Sequence, residues 1–364
     1  MKNSFGNNIT VTLFGESHGK MIGAVLDGLA PGIAIDYDYI DRKLAQRRPV
    51  GDISTARAEA DRYEIVSGVY NGYTTGTPLT ILIENTDMKS SDYEGLRDTP
   101  RPSHADYTAE VKYHGYQDPR GGGHFSGRLT AAIVAAGAIL ARALEDKGIK
   151  IGSHITEMHG AYDRAFEDHA SDIELLERKQ FPTLEDSAEA SMIKEIEKAK
   201  SLGDSVGGIL ESAIIGVPSG VGEPWFDSFE GMLAHALFSV PGVKGVEFGL
   251  GFALADTYGS EANDPFEILE GRVITATNNG GGINGGITNG MPIVFRTVIK
   301  PTPSIAKSQI TVSLSKMENT AIKVEGRHDP AIAHRARAVV DAMAAIVTAD
   351  MLATRYGTDY LAKK

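Results

Sequence analysis

Asp118-Pro-Arg-Gly-Gly-Gly-His-Phe-Ser-Gly-Arg128 sets three consecutive glycines between two arginines. Glycines just before a helix let the backbone turn tightly and aim bare N–H groups at an anion. Fixed guanidinium charge at Arg120 and Arg128 makes a phosphate or carboxylate the natural guest. Alone, the triplet serves equally as a flexible turn into a core helix. His18 lies in Gly15-Glu-Ser-His-Gly19, between two strand-like runs. A lone histidine is usually a surface or satisfied core residue, but a glycine-flanked one is free to project and exchange protons near neutrality. Arg101-Pro-Ser-His-Ala-Asp106 offers a second histidine. Ser103 is placed to cap a helix there, whose N-terminus would keep His104 neutral.

Further basic and polar segments follow the same theme. Arg47 and Arg48 close an early helix. Adjacent helical residues project about 100° apart, so one can complement the dipole while the other reaches a ligand. Lys300-Pro-Thr-Pro-Ser304 is a basic, hydroxyl-bearing turn suited to phosphate. In Gly326-Arg-His-Asp-Pro330, Asp329 reads as an N-cap and Pro330 as the first helical residue, beside Arg327, His328, Arg335 and Arg337. The loop Asn278 to Gly290 has little side-chain bulk, so backbone can approach a flat ligand, with Asn278, Asn279 and Asn284 supplying amides. It does not follow the dinucleotide-binding pattern, and no P-loop motif occurs. No H-x-x-x-H or H-E-x-x-H pairs two of the ten histidines on one helix face, and no metal site is expected.

The elements that must position these groups alternate between strand and helix. Ile9 to Phe14 and Met21 to Leu26 read as strands around His18. Asp36 caps a helix over Tyr37 to Arg48, stopped by Pro49. Ile65 to Gly68 and Thr77 to Glu84 are the next strands, joined through Tyr70-Asn-Gly-Tyr73, and a long polar loop from Asn85 to Pro102 delivers His104. Leu129 to Leu144 is apolar on every face and uncharged before Arg142, the pattern of a buried helix. Strands at Ile149 to Thr156, Ser205 to Val217, Val243 to Gly251 and Met291 to Ile299 follow, with a charged, solvated helix at about Leu184 to Leu202. The last helix is expected from Pro330 to about Thr354. A weak internal echo relates Gly23 to Gly28, Pro31-Gly32 and the helix to Arg48 with Gly207 to Ser212, Pro218 to Gly220 and a helix from Phe229 to Phe238. It points to one domain, 1–364, with pseudo-twofold halves.

Composition narrows the class. Apolar residues make up 42% and charged residues 23%, as in ordinary globular proteins. A net charge of −12 argues against a nucleic-acid role, and local arginine clusters on an acidic chain suit a small anionic ligand. The absence of cysteine excludes disulfides, thiolate metal sites and cysteine nucleophiles, and fits a reducing compartment. No apolar signal core opens the chain and no run of about 20 apolar residues occurs, so the expectation is cytoplasmic and not membrane-bound.

Taken in order, GESHG at 15–19, RRP at 47–49, RPSHADY at 101–107, RGGG at 120–123, GDSVGG at 203–208, VKGVEFG at 243–249, NGGGINGGITNG at 279–290, KPTPS at 300–304 and GRHDP at 326–330 resemble the chorismate synthase family over essentially the whole chain. The resemblance implies an α+β fold, a β-α-β sandwich of two antiparallel sheets enclosing helices, and a homotetramer. It implies a carbon–oxygen lyase that takes phosphate and a proton from 5-enolpyruvylshikimate 3-phosphate by anti-1,4-elimination to give chorismate. The cofactor implied is reduced FMN, with NADPH acting only indirectly, through flavin reduction by an external supply.

By matching position, His18 would protonate or hydrogen-bond the leaving phosphate, His104 would hold the flavin's protonation state, and Asp329 would assist the proton relay. Ser17, Arg47, Arg57, Arg101, Arg128 and Arg327 would hold the substrate's anionic groups. His124, Phe125, Ser126, Pro241, Gly242, Asn278, Gly285, Lys300, Pro301, Thr302, Pro303, Ser304 and Arg327 would line the flavin. The chain departs from the family pattern at His124-Phe125, Gly127 and Leu129, at Ile53 where an arginine is common, and at Pro241-Gly242 in place of Asn-Ala. A flavin-using oxidoreductase, a non-catalytic flavin-binding protein and a zinc hydrolase are the competing classes.

Overall fold

The computed structural model of the 364-residue chain describes residues 2–49, 51–54, 60–86, 97–324 and 329–362. The first half runs β1 (Ser4–Phe5), β2 (Thr10–Gly15), β3 (Met21–Asp27), α1 (Tyr37–Arg47), β4 (Tyr63–Ser67), the hairpin β5 (Val69–Tyr70) and β6 (Tyr73–Thr74), β7 (Leu79–Glu84), α2 (Asp106–Tyr113) and α3 (Thr130–Glu145). The second half runs β8 (Lys150–Met158), β9 (Ala161–Tyr162), α4 (His169–Glu177), α5 (Asp186–Ser201), β10 (Gly208–Ile215), α6 (Phe229–Phe238) and β11 (Val243–Phe248). It continues through α7 (Gly259–Ala262) and the hairpins β12–β13 (Phe266–Leu269, Arg272–Thr275) and β14–β15 (Ile283–Asn284, Ile287–Thr288). It closes with β16 (Ile293–Ile299), β17–β18 (Gln309–Ser313, Glu318–Ile322) and α8 (Ala333–Tyr356).

Two five-stranded sheets, ordered β1-β2-β3-β7-β4 and β11-β16-β10-β8-β9, are antiparallel throughout. The internal echo becomes a shared topology. In each half two antiparallel strands lead to a helix, then an edge strand, then the strand that fills the gap, then a long helix. The pairs are β2/β8, β3/β10, α1/α6, β4/β11, β7/β16 and α3/α8, and the sheet orders β2-β3-β7-β4 and β8-β10-β16-β11 coincide. Even a register shift recurs, at Ile65/Ser67 in β4 and at Val243/Gly245 in β11.

The helices fill the space between the sheets, and one contiguous core of side chains runs from Ile9 to Leu361. α3 packs on β3 and β7 of one sheet and on β8 of the other, as its all-round apolar sequence requires. The stretch Gly127–Glu145 is long and apolar enough to cross a membrane by length and composition, yet it is mostly buried inside the protein. Against α8 the contact is so close that a Cβ on Gly137 would lie 2.5 Å from the Cβ of Ala342.

Several local expectations hold. Asp36 caps α1 by accepting from the N–H of Tyr39 at 2.9 Å. Asn71 (φ 50°) and Gly72 (φ 80°) form the two-residue turn of the β5–β6 hairpin, the left-handed pair that a hairpin twist demands. α5 exposes its charges but buries Ala188, Met192, Ile196 and Ala199 along one stripe, so it is solvated on one side only. α8 begins at Ala333, with Ile332 at its N-cap and no side-chain cap, not at Pro330. α4, capped by Asp168, is short and carries no strong periodicity in the sequence.

Candidate active site

The glycine triplet forms a tight loop, not a helix start. Gly121, Gly122 and Gly123 have φ of 62°, 86° and 53°, a succession that only glycine takes without strain. α3 begins seven residues after Gly123, at Thr130, and Ser126 caps the intervening turn by accepting from the N–H of Arg128 at 3.3 Å. The flanking arginines are engaged by the protein: Arg120 folds onto Asp118, with bonds of 2.9 and 2.8 Å, and Arg128 turns inward.

The loop matters because two imidazoles meet it. A Cβ on Gly121 would come within 2.5 Å of His18 Nε2 and 3.0 Å of Ser17 Oγ. A Cβ on Gly122 would lie 3.7 Å from His104 Nε2. Consecutive glycines therefore seat both histidines, which stand 86 positions apart in the chain. The N–H of Ser17 donates to the carbonyl of Gly123 at 3.0 Å, and His124 Nδ1 donates to the carbonyl of Gly15 at 2.8 Å. His124 thus stitches the loop to the His18 turn. Phe125 packs edge-on against Tyr113, with ring centroids 6.0 Å apart.

Beside this loop, Asp106 organises the second imidazole. Its carboxylate accepts from Arg101 Nε and Nη2, both at 2.8 Å, and lies 2.6 Å from His104 Nδ1. Burial alone would raise the Asp106 pKa, but the hydrogen bonds from Arg101 and His104 and the Arg101 charge outweigh it and hold the carboxyl well below the usual range. Nδ1 also lies 3.0 Å from Arg101 Nη2, so that nitrogen is held by both partners and Nε2 is left toward Gly122. A carboxylate, not a helix N-terminus, is therefore the electrostatic partner of His104: α2 starts at Asp106 with Ala105 at its cap, and Ser103 caps nothing.

Arg101 Nη1 also donates to Ser304 Oγ at 3.2 Å, and Lys300 Nζ donates to the carbonyl of Ser103. These bonds dock the 300–304 turn on the His104 segment. Burial, with Lys244 nearby, pushes the Lys300 ammonium pKa down. The N–H of Lys300 donates to the carbonyl of Gly242 at 2.9 Å, which brings Pro241-Gly242 to the same end of β16. Pro301 backs onto Gly207, the Thr302 carbonyl accepts from Ser205 Oγ at 2.7 Å, and the Pro303 carbonyl accepts from Gln309 Nε2 at 3.2 Å.

A second charged cluster underlies the first. Asp61, 3% exposed and at φ 46°, lies between Arg47 Nη1 at 3.0 Å and Arg128 Nη1. Arg47 also donates to Thr130 Oγ1 at 2.9 Å and to the Gly127 carbonyl at 3.3 Å. Asp329 pairs with Arg335 Nη1 at 2.6 Å, and Arg335 Nε reaches the carbonyl of Arg47 at 2.8 Å. Asp329 is thus an ion-pair partner joined to the Arg47 cluster, not the helix cap its position in the sequence suggested.

With this geometry in view, the comparisons with known proteins converge. The family model described as chorismate synthase matches residues 9–353. The chain belongs to the chorismate synthase family. A chorismate synthase of Thermococcus kodakarensis is 47% identical over 350 residues, covering 96% of this chain and 97% of its own. One from Dehalococcoides mccartyi is 44% identical and covers 98% of each chain. A solved structure, the crystal structure of chorismate synthase, superposes with a TM-score of 0.75 at 30% identity, covering 97% of this chain and 94% of that one.

Seen as a chorismate synthase family member, the chain gathers His18, Ser17, His104 and the 124–126 segment around the glycine loop, with Arg101 and 300–304 bonded to the His104 segment and Pro241-Gly242 behind Lys300. Arg47, Arg128 and Asp329 join through the Asp61 cluster. Arg57 and Arg327 lie outside the described residues. Asn278 and Gly285 stand apart within one chain. Asn278 Nδ2 donates to the Pro292 carbonyl at 2.8 Å, at the end of β16 opposite Lys300. The seven strand residues between Pro292 and Lys300 hold those ends roughly 25 Å apart at strand rise. Ile53 is 6% exposed and belongs to the core. Sequence reasoning missed Asp61, Asn85 and the partner role of Asp106. Asp106 sat in view within RPSHADY, whereas Asp61 lies in no motif.

Proposed function

We propose that the chain is a carbon–oxygen lyase converting 5-enolpyruvylshikimate 3-phosphate to chorismate, with loss of phosphate and a proton by anti-1,4-elimination. The observation that carries this reading is the seating of His18 and His104 on consecutive glycines, flanked by Arg101 and Lys300, in a chain of the chorismate synthase family. His18 donates a proton or hydrogen bond to the departing phosphate. Ser17, Arg57 and Arg327 hold the anionic groups, while Arg101, tied to Asp106, and Arg47 and Arg128, tied to Asp61, add positive charge from behind, and the cations lower the cost of the charge that develops as phosphate leaves.

The residues present fit a reduced FMN. Thr302 Oγ1 and Asn278 Oδ1 are buried with no hydrogen-bond partner among the described residues, and Thr302 sits in the basic turn that also offers Lys300 and Ser304. Lys300 to Ser304, Pro241, Gly242 and His124 to Ser126 would hold it beside His104. Bound reduced flavin supplies electron density that eases phosphate departure and a site for a proton too weakly acidic for ordinary side chains to remove. His104 would sit beside the flavin and hold its protonation state, and Asp329, paired with Arg335, would assist the proton relay. NADPH acts only by supplying reduced flavin. Asn278 and Gly285 come from another copy of the chain in the homotetramer we assign. Exposed apolar side chains such as Phe252 (85%), Ile268 (73%) and Phe266 (68%) support assembly. The chain, 1–364, works as one domain in the cytoplasm.

An anaerobic assay tests the reading, with 5-enolpyruvylshikimate 3-phosphate and FMN, with and without dithionite, scoring phosphate and chorismate together. Both products should appear only with reduced FMN. Reduced FMN bound without either product would leave a flavin-binding protein instead. Replacing dithionite by NADPH should give no turnover.

A further inference from the structure

We propose that Asn85 is a positioning residue for His18: its side-chain amide clamps the Glu16–Gly19 turn, and the Arg128–Asp61 pair fixes that amide from behind. The inference rests on the role given to His18 above. Asn85 follows β7 directly and is 7% exposed. Its Nδ2 donates to the carbonyl of Glu16 at 3.0 Å and to that of Gly19 at 2.8 Å, the two carbonyls that bracket Ser17-His18. Its backbone N–H reaches the carbonyl of Lys20 at 3.3 Å.

On the other side, Asn85 Oδ1 accepts from Arg128 Nε at 2.9 Å. A guanidinium only donates and a carbonyl only accepts, so the amide can sit one way round. Arg128 is itself held by the Glu84 carbonyl at 3.1 Å and by Asp61, which Arg47 grips at 3.0 Å. The chain of bonds therefore runs from the start of α3 to the two peptide groups that aim the imidazole. Gly121 limits the ring from one side, and the clamped turn sets its reach from the other.

Asparagine is required by this geometry. An aspartate has the same shape and would keep the Arg128 bond, but it would turn lone pairs toward two carbonyl oxygens. Misplacing a reacting group by about 1 Å can cost on the order of 100-fold in rate.

The experiment compares wild type, Asn85→Asp, Asn85→Ala, His18→Ala and the double variant Asn85→Asp/His18→Ala, each with reduced FMN under anaerobic conditions. Asn85→Asp should lower kcat roughly 10- to 100-fold while KM for 5-enolpyruvylshikimate 3-phosphate stays within about threefold. In the His18→Ala background the same substitution should change kcat by no more than about twofold, because the group it positions is gone. Undiminished kcat in a folded Asn85→Asp, or a loss that multiplies in full onto His18→Ala, overturns the proposal. If Asn85→Asp does not fold, Asn85→Ala removes the two donors without adding charge, and its kcat must fall likewise for the proposal to stand. Full activity in His18→Ala alone would instead remove the functional reading of His18.

Discussion

His334 shows how little a residue's type reveals until its surroundings are known. It is fully buried on α8, bonded through Nε2 to Ser54 Oγ at 2.8 Å and stacked on Phe181 at 5.6 Å. Burial, reinforced by Arg335, pushes its pKa down to about 3. An unfolded histidine titrates near 6.5. Between those values the unfolded chain binds a proton that the folded chain refuses, so this group's stabilisation is present above about pH 6.5 and drains away as pH falls. His334→Gln should flatten the acid limb of a stability-against-pH curve measured by urea denaturation; an unchanged slope between pH 6 and 4 would refute the assignment. Asp61 makes the complementary point for a buried anion. Asp61→Ala leaves Arg47 and Arg128 facing each other without their shared carboxylate and should cost about 3–5 kcal/mol in denaturant unfolding. Neither residue stands in a motif. The histidines that do, His18 and His104, were legible as candidates because glycine, serine and arginine surround them. Their shared loop was not legible, because nothing local relates position 18 to position 121.

At the scale of elements, patterning was informative wherever one face had to be buried. α3 was readable as a core helix from its composition, and the strand–turn–helix echo was readable as a repeat. The α3–α8 contact was not, since it depends on which residue of each helix faces the other. Gly137 supplies the test. Alanine is the better helix former by about 1 kcal/mol. Here its methyl would meet Ala342 Cβ at 2.5 Å and Ala342 Cα at 2.6 Å. Gly137→Ala should therefore destabilise by about 1–3 kcal/mol despite its propensity. A raised melting temperature in that variant would mean that the helices can separate freely. Capping rules misled at Ser103 and Asp329 for different reasons: the positive φ of Ser103 (56°) is not a cap conformation and Ala105 takes the N-cap position, and the Asp329 carboxylate is taken by Arg335.

Across the whole molecule the two halves are locked at their far ends. Asp350 on α8 is fully buried, and its carboxylate accepts the N–H groups of Asn7, Asn8 and Ile9 at 2.9, 2.7 and 2.9 Å. The last helix thus holds the first strands in place. Asp350→Ala would strand three donors and should cost on the order of 3 kcal/mol, read as a lower midpoint in guanidinium unfolding. The sequence alone determined what each stretch prefers: the helix and strand periods, the clustering of basic residues, the family and the inventory of reactive side chains. Those follow from local sterics, charge and the covalent order of residues. Only the tertiary structure decided which carboxylate answers which arginine, that Asp106 rather than a helix end governs His104, and that Asn85 faces the His18 turn. Most such pairings join residues tens of positions apart, Asp106 and His104 being two apart in one segment, and their energies come from burial and geometry that exist only once the sheets have closed over the helices.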